Sequence, residues 1–454
     1  MPSSDPGALE ALRAVEAELN TRWPETKIAP SLERVKVLTH VLGDPQESYP
    51  VIQVAGTNGK TSTSRMIDAL LSRIGLRTGR YTSPHLQLAT ERISIDGAPI
   101  SPERYVEVYR DIEPYLSMVD GRTDVPMTKF EVLTGMGFAA FADAPVDVAV
   151  VEVGMGGSWD ATNIADARIA VITPIGIDHV EYLGGDVESI AREKAGIIKP
   201  GSVAVVAEQT PEAAKVILDR SAEVDATVAR QGMEFGVLQR DIAVGGQVLK
   251  LQGLGGVYDE IFLPLHGAHQ ANNAVLALAA VEAFFGAGAQ RQLDVEAIRE
   301  GFASVASPGR LERVRSAPTV LIDAAHNPHG AKALAAALND EFDFRRLVAV
   351  VGVMEDKDAA GILAELEPVV HEVVLTSNSS ARAMDADTLA GVAMPIFGED
   401  RLVVQPRLDD AIEEAVRLAE EAGDDGLMSG AGVVVTGSVV TAGEARALFG
   451  KEPA

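Results

Sequence analysis

The run Val51-Ile-Gln-Val-Ala55 passes directly into Gly56-Thr-Asn-Gly-Lys-Thr61, followed by a hydroxyl-rich amphipathic stretch that reaches Gly75. An apolar strand feeding a glycine loop that opens a helix aims backbone N–H groups and the positive end of the helix dipole at one point, which suits a phosphate. Lys60 supplies a cation for the β- and γ-phosphates, and the Thr61 hydroxyl suits Mg²⁺. The strict P-loop spacing asks for glycine at position 54, where this chain has Val54, so an ordinary strand–helix turn is the competing reading of the loop alone.

Other reactive side chains fall at the same expected sheet edge. Glu152 ends the apolar run "VAVVEVG", where an acidic group beside a phosphate loop can hold Mg²⁺ directly or through water. Asp178 and His179 follow the next apolar run, and Ser83 follows a short strand candidate. A hydroxyl, a carboxylate and an imidazole converging on one edge can serve a Mg²⁺–nucleotide complex. The structural alternatives are a capped loop carboxylate for Glu152 and a packed core imidazole for His179.

The positioning elements follow from periodicity. The runs 51–55, 146–154, 169–176 and 202–208 are continuous and apolar, as expected of parallel strands covered on both faces. "DVESIAREKAGIIKPG" predicts a helix stopped by Pro200 and Gly201. From about 225 to 265, frequent glycines and short alternating runs predict a small antiparallel patch, followed by a buried helix, "NNAVLALAAVEAFF". A second series, at 319–330, 347–358, 372–378 and 432–438, alternates with Ala/Leu/Glu-rich helices and implies another parallel sheet. The expectation is two α/β domains, 1–307 and 308–454, with a hinge near residue 308. The first is a P-loop-type, mostly parallel sheet flanked by helices, and the second is smaller and Rossmann-like.

Composition narrows the function classes. The 454 residues include 39 basic and 66 acidic side chains, a net charge of −27, and no stripe of basic residues with interleaved aromatics. Nucleic acid would be repelled at long range, whereas a small anion held by a few cleft cations would not. With Cys 0, disulfides, thiolate metal sites and a cysteine nucleophile are excluded. The first residues lack a basic-then-apolar leader pattern, and no run reaches the roughly 18 apolar residues of a membrane span. A cytoplasmic monomer working on small molecules, with no membrane partner, is the expectation. The acid run 420–425 is read as a solvated face.

Taken together, "SLERVKVLTHVLGDP", "VAGTNGKTS", "TSPHL…ERI", "FEVLT", "VEVGMGGSWDATN", "IGIDHVEYLG", "REKAGIIK", "HGAHQANNA", "SPGRLE", "DAAHNPHG" and "VTGSVVTAGEAR" resemble, in order, the folylpolyglutamate synthase and dihydrofolate synthase family within the Mur ligases. These pieces run from about residue 31 to 446. The resemblance implies an ATP-dependent amide ligase that adds glutamate to a pteroate or folate carboxylate through an acyl phosphate. Phosphorylation makes chemical sense, because it turns a resonance-stabilised carboxylate oxygen into a leaving group.

By that resemblance, Asn58, Gly59, Lys60 and Thr61 cradle the triphosphate. Thr61, Ser83, Glu152 and His179 hold Mg²⁺, with two ions expected, and Lys194 carries a carbamate. Asn273, with Asn272 as the alternative, meets adenine, while Arg310 reaches the γ-phosphate. Asp323 binds nucleotide from the second domain, and His326 and Ser438 serve the glutamate site. The acceptor is placed near Thr128, Lys129, Phe130 and Glu131, and near Trp159, Asp160 and Ala161. The aromatic pair Phe130 and Trp159 offers flat faces for a heterocycle, with an ordinary core role as the alternative. The chain departs from the family pattern at Ser158-Trp159, where Arg-Leu is common, and at Thr61, where glycine is common.

Three activities remain in play: a bifunctional dihydrofolate and folylpolyglutamate synthase, a folylpolyglutamate synthase alone, or a ligase of UDP-muramyl peptides. A non-catalytic nucleotide-binding module would be expected to lack Lys60, Glu152, His179 or Lys194, and all four are present.

Overall fold

The computed structural model describes residues 6–24, 29–286, 291–421 and 430–453. Eight strands form the first sheet: β1 (Val51–Ala55), β2 (Thr78–Tyr81), β3 (Ile93–Ile95), β4 (Ala98–Pro99), β5 (Val148–Glu152), β6 (Ile169–Ile172), β7 (Val203–Val206) and β8 (Thr227–Arg230). Their order is β4-β3-β2-β5-β1-β6-β7-β8, parallel from β2 to β8 and antiparallel at the β3–β4 edge. All five residues of β1 are buried, because β5 and β6 flank it and apolar layers cover both faces. The two-residue alternation of a strand sends Ile52 and Val54 into the layer beneath the helix Lys60–Ile74. Val51 and Ala55 join the cores on the opposite face.

The antiparallel patch consists of β9 (Gly236–Ala243), β10 (Gly246–Gln252) and β11 (Val257–Leu263), ordered β11-β10-β9. It starts later than the composition shift at 225 suggests. Residues 227–230 instead extend the large sheet, since Val228 and Ala229 pair with Ala204 and Val205 of β7. The helix over "DVESIAREKA" is also shorter than expected. It spans Val187–Ala195 and stops before Pro200, because Ile197 and Ile198 turn inward to pack with β6 and β7. Lys194 consequently lies in its last turn.

The second sheet contains β12 (Glu312–Ser316), β13 (Thr319–Ile322), β14 (Arg346–Val351), β15 (Glu372–Leu375), β16 (Leu402–Val404) and β17 (Ala431–Thr436). Its order is β12-β13-β17-β14-β15-β16, parallel throughout except for the β12–β13 hairpin. Separate apolar cores cover its two faces. The molecule is thus a mixed α/β protein with a large, mostly parallel sheet and a second, smaller parallel-rich sheet. Glu420 and Glu421 of the acid run are exposed, and 422–425 lie outside the described residues. Among the described residues no helix is long and apolar enough to cross a membrane.

Helix Ala268–Phe284 is buried almost all round, yet it carries Glu282 in its interior. The carboxylate is matched by the N–H groups of Leu254 and Gly255 and by the Tyr258 hydroxyl, so it pins the antiparallel patch to the helix. Replacing it by alanine would leave buried donors unpaired. Glu282→Ala is expected to lower unfolding free energy by about 3 kcal/mol in urea titrations, whereas an unchanged midpoint would show that the pinning contributes nothing.

Candidate active site

The C-terminal ends of β1, β5 and β6 open on one crevice. The loop after β1 turns at Gly59, whose φ of +86° precedes the first helical residue, Lys60. A Cβ at Gly59 would lie 2.6 Å from Asn273 Oδ1, so the buried Asn273 presses directly on the loop. The neighbouring Asn272 instead faces outward to Gln231. The Thr57 hydroxyl bonds both the N–H and the carbonyl of Gly176, at 3.0 Å each, tying the loop to the chain after β6.

Two ammonium groups meet inside the loop. Lys60 Nζ donates to the carbonyls of Gly56 (3.1 Å) and Thr57 (3.2 Å), and Lys194 Nζ donates to Gly56 at 2.8 Å. Burial lowers the affinity of both for a proton, and the Lys194 amine is brought down to about 7, with Lys60 adding repulsion. Glu152, at the end of β5, exerts its charge on Lys60. One of its oxygens accepts from the Thr61 hydroxyl at 2.9 Å, while the other is buried with no hydrogen-bond partner among the described residues. Burial pushes this carboxyl up, and Lys60, Thr61 and Arg310 oppose that rise; the Ser83 N–H also faces the carboxylate.

Across the crevice stand groups from the second sheet. Asn58 exchanges hydrogen bonds with Asn327 at 3.2 Å and lies 2.7 Å from His329. Asp178 accepts from Lys357 at 2.9 Å and from Asn327 at 3.1 Å. Burial alone would raise the Asp178 carboxyl, but His179 and Lys357 hold it well below the usual carboxylate range. His179 has a left-handed backbone, φ +50°, and burial, aided by Lys357, Lys60 and Lys194, brings its imidazole down to about 4 despite Asp178. His326 is likewise brought down to about 4 by burial. A neutral ring with Nδ1 3.0 Å from the Ala324 carbonyl must donate there, which leaves Nε2 as an acceptor.

Asp323 accepts the N–H groups of Leu311 (2.9 Å) and Ala325 (2.8 Å), joining the connector to the loop after β13. Arg310 donates to the carbonyl of Gly309 and exerts its charge on both Asp323 and Glu152. Ser438 caps the helix Val439–Leu448, accepts from Thr441 N–H and receives Asn378 Nδ2 at 3.2 Å.

A cavity of about 420 Å³ is lined by Ser83, His179, His326, Ser438, Phe130 and Trp159. Thr128, Glu131, Asp160 and Ala161 line it too. Thr128 and Glu131 form a helix capping box, and Glu131 also pairs with Arg34 at 2.9 Å. Asp160 accepts from Met155 N–H and Thr162 N–H, shaping the loop that carries Trp159. Lys129 is a correction: it does not line the cavity, because its ammonium is paired with Glu16 and Asn20 on the other side of the helix. The side chains Arg34, His85, Lys357 and Arg382 also line the cavity and were not anticipated. Only Lys357 had a readable signal, since it follows the end of an apolar run just as Glu152 does.

Comparison with known proteins accords with this architecture. Residues 54–281 match the Mur ligase middle domain and residues 309–438 the Mur ligase, glutamate ligase domain. The dihydrofolate synthase/folylpolyglutamate synthase of Mycobacterium tuberculosis is 60% identical, over 99% of this chain and 96% of that protein. The Escherichia coli protein of the same name is 37% identical, over 79% of this chain and 80% of its own length. Among solved structures, the Mycobacterium tuberculosis folylpolyglutamate synthase complexed with ADP superposes with a TM-score of 0.95 at 59% identity, covering 98% of this chain and 100% of that one. Escherichia coli FolC in complex with DHPP and ADP gives a TM-score of 0.83 at 33% identity, with 97% of both chains covered.

Fold and crevice define an ATP-dependent ligase of the Mur type. The chain belongs to the dihydrofolate synthase/folylpolyglutamate synthase family.

Two substitutions probe the loop. Lys60→Ala is expected to keep its melting temperature within a few degrees while ATP-dependent turnover falls by about 10³-fold or more. Retained turnover in the purified variant would remove Lys60 from the site. Gly59→Ala must place a side chain against Asn273 at a left-handed φ, and its ATP affinity, measured by calorimetry, is expected to fall by about tenfold or more.

Proposed function

We propose that the protein joins L-glutamate to dihydropteroate and to reduced folates, with ATP converting the acceptor carboxylate to an acyl phosphate before the glutamate amine attacks. The observation that carries this reading is the buried Glu152, with one oxygen unpartnered among the described residues, within charge reach of the enclosed Lys60 and faced by the N–H of Ser83, a residue that lines the same cavity as Phe130, Trp159 and Ser438. The boundary between the two lobes is taken at 307/308.

In this reading Asn58, Gly59, Lys60 and Thr61 hold the triphosphate, Asn273 lies against the adenine end, and Arg310 and Asp323 approach from the connector. The oxygen donors Thr61, Ser83 and Glu152, with an unprotonated His179, suit Mg²⁺, a hard cation. Among the described residues no three acidic or imidazole groups cluster as a metal site, so the hydroxyls are needed. When bound, Mg²⁺ would neutralise phosphate oxygens; two ions are proposed.

Lys194 is the proposed carbamate. Carbamate formation needs an uncharged amine, and burial has brought this one to about 7, so a large fraction is neutral at physiological pH. The product anion would also relieve the repulsion between Lys194 and Lys60. The pterin ring is placed between Phe130 and Trp159, with Asp160, Ala161, Thr128 and Glu131 shaping the wall. His326, whose Nε2 is an acceptor, is positioned to take a proton from the incoming glutamate ammonium, and Ser438 to orient glutamate.

A panel of dihydropteroate, tetrahydrofolate and a UDP-muramyl peptide, each with ATP and glutamate and read as phosphate release, tests the proposal. Phosphate release is expected with the first two and not the third. Release with tetrahydrofolate alone would reduce the assignment to folylpolyglutamate synthase, and release only with the UDP-muramyl peptide would overturn it. Lys194→Ala is expected to be inactive and partly restored by a small added carboxylate. Undiminished activity without one would exclude the carbamate.

A further inference from the structure

The segment Ser83–Leu88 follows β2 of the first sheet, reaches the second lobe at Leu86 and returns to the core of the first sheet at Leu88. At its start, the Ser83 N–H faces Glu152. In its middle, Ser83, Pro84 and His85 line the cavity, and Arg92 Nε donates to His85 Nδ1 at 2.9 Å. Beyond them, the Leu86 side chain packs against the apolar layer of the second sheet, on the cluster holding Ile322, Ala324 and Ala442.

The socket is built to fit backbone as well as side chain. A Cβ on Gly443, in the helix capped by Ser438, would overlap the carbonyl oxygen of Leu86, and a Cβ on Gly309 would lie 3.3 Å from the Leu86 side chain. The plug is held rigid from its own lobe. The buried Glu91 carboxylate accepts the N–H groups of Leu86 (2.8 Å), Gln87 (3.0 Å) and Leu88 (2.9 Å). Gln87 donates to the Lys451 carbonyl at 2.8 Å and accepts from Arg446, whose Nε donates to Glu312 at 2.7 Å. Glu312 in turn accepts the N–H of Gly309, next to Arg310, at 2.9 Å. One short segment therefore touches the phosphate crevice, the cavity wall, the connector and the helix headed by Ser438.

We propose that Leu86 and Gly443 form a plug-and-socket joint that sets the register of the two lobes for ligation, with Glu91 as the positioning residue that holds the plug. The joint brings Ser438, His326 and Arg310 to fixed places opposite Ser83 and Glu152, so its consequence for catalysis rests on the functional reading above. Close packing makes such a joint discrete: a Cβ at Gly443 cannot be absorbed by the side chain of Leu86, because the atom in its way is backbone.

Because the chain has Cys 0, two introduced cysteines report lobe separation without background. Glu212→Cys and Asp410→Cys place spin labels on exposed helix positions of the two lobes. In that background Gly443→Ala is expected to shift and broaden the interlabel distance distribution measured by pulsed electron resonance. In the unlabelled protein kcat should fall by about 100-fold with KM for ATP changed by no more than about threefold, as a misplacement of reacting groups by an ångström would give. Leu86→Ala should broaden the distribution with a smaller loss of kcat, and it decides the question if Gly443→Ala does not fold. The exposed Gly391→Ala, with nothing near its added Cβ, is expected to match the parent. Parental distances and kcat in both joint variants would overturn the joint. A parent chain that ligates glutamate to no acceptor would instead refute the functional reading, while the distance measurement would still decide the joint.

Discussion

A carboxylate and two lysines share a buried crevice, and the pairing they lack inside the protein governs the rest of the structure. Charges removed from water are tolerated only with partners, and Glu152 has one partnered oxygen and one that is bare among the described residues. Lys60 donates to the carbonyls of Gly56 and Thr57 and Lys194 to that of Gly56, neutral acceptors that leave their charge uncompensated by a hydrogen-bonded anion. The parallel sheet makes this possible by delivering the ends of β1, β5 and β6 to one edge, where backbone N–H groups at the start of the helix Lys60–Ile74 add to the positive field.

The second lobe supplies what the first cannot. Asn327 and Lys357 bond to Asn58 and Asp178 across the crevice, so residues after β1 and β6 are tied directly to the second sheet's loops. Farther away, the buried carboxylate of Glu341 receives Arg240, His266 Nδ1 at 3.0 Å and Gly267 N–H at 2.7 Å, which anchors the helix Pro328–Glu341 to the antiparallel patch. Phosphoryl transfer in general gives a protein little covalent work to do, so in the proposed reaction positioning and charge compensation would account for most of its contribution. A two-lobed enclosure with polar contacts at several points fits that requirement.

The crevice at the ends of β1, β5 and β6 was legible in the sequence because its residues end apolar runs. Lys60 follows the run 51–55, Glu152 lies near the end of 146–154 and Asp178 follows 169–176, so the apolar runs put them at one edge. Lys194 was not legible that way. A lysine in an amphipathic helix looks solvated, and only the family resemblance singled it out; its burial depends on the early end of its helix and the inward turn of Ile197 and Ile198. Lys129 failed for the opposite reason: helix geometry turns it a third of a turn from Phe130, toward Glu16 and away from the cavity. β12 and β16 escaped notice because one is polar and the other very short, and each gains its strand character from the neighbour it pairs with. Arg34 and Arg382 reach the cavity from segments distant in sequence, a convergence that no local pattern encodes, whereas His85 follows Ser83 by two residues.

The central claim is that the acceptor carboxylate is phosphorylated before the amine arrives, and oxygen tracing tests it directly. With the acceptor carboxylate enriched in ¹⁸O, the account predicts that each turnover carries one labelled oxygen from the acceptor into the released phosphate. Product formation with phosphate free of label would contradict it.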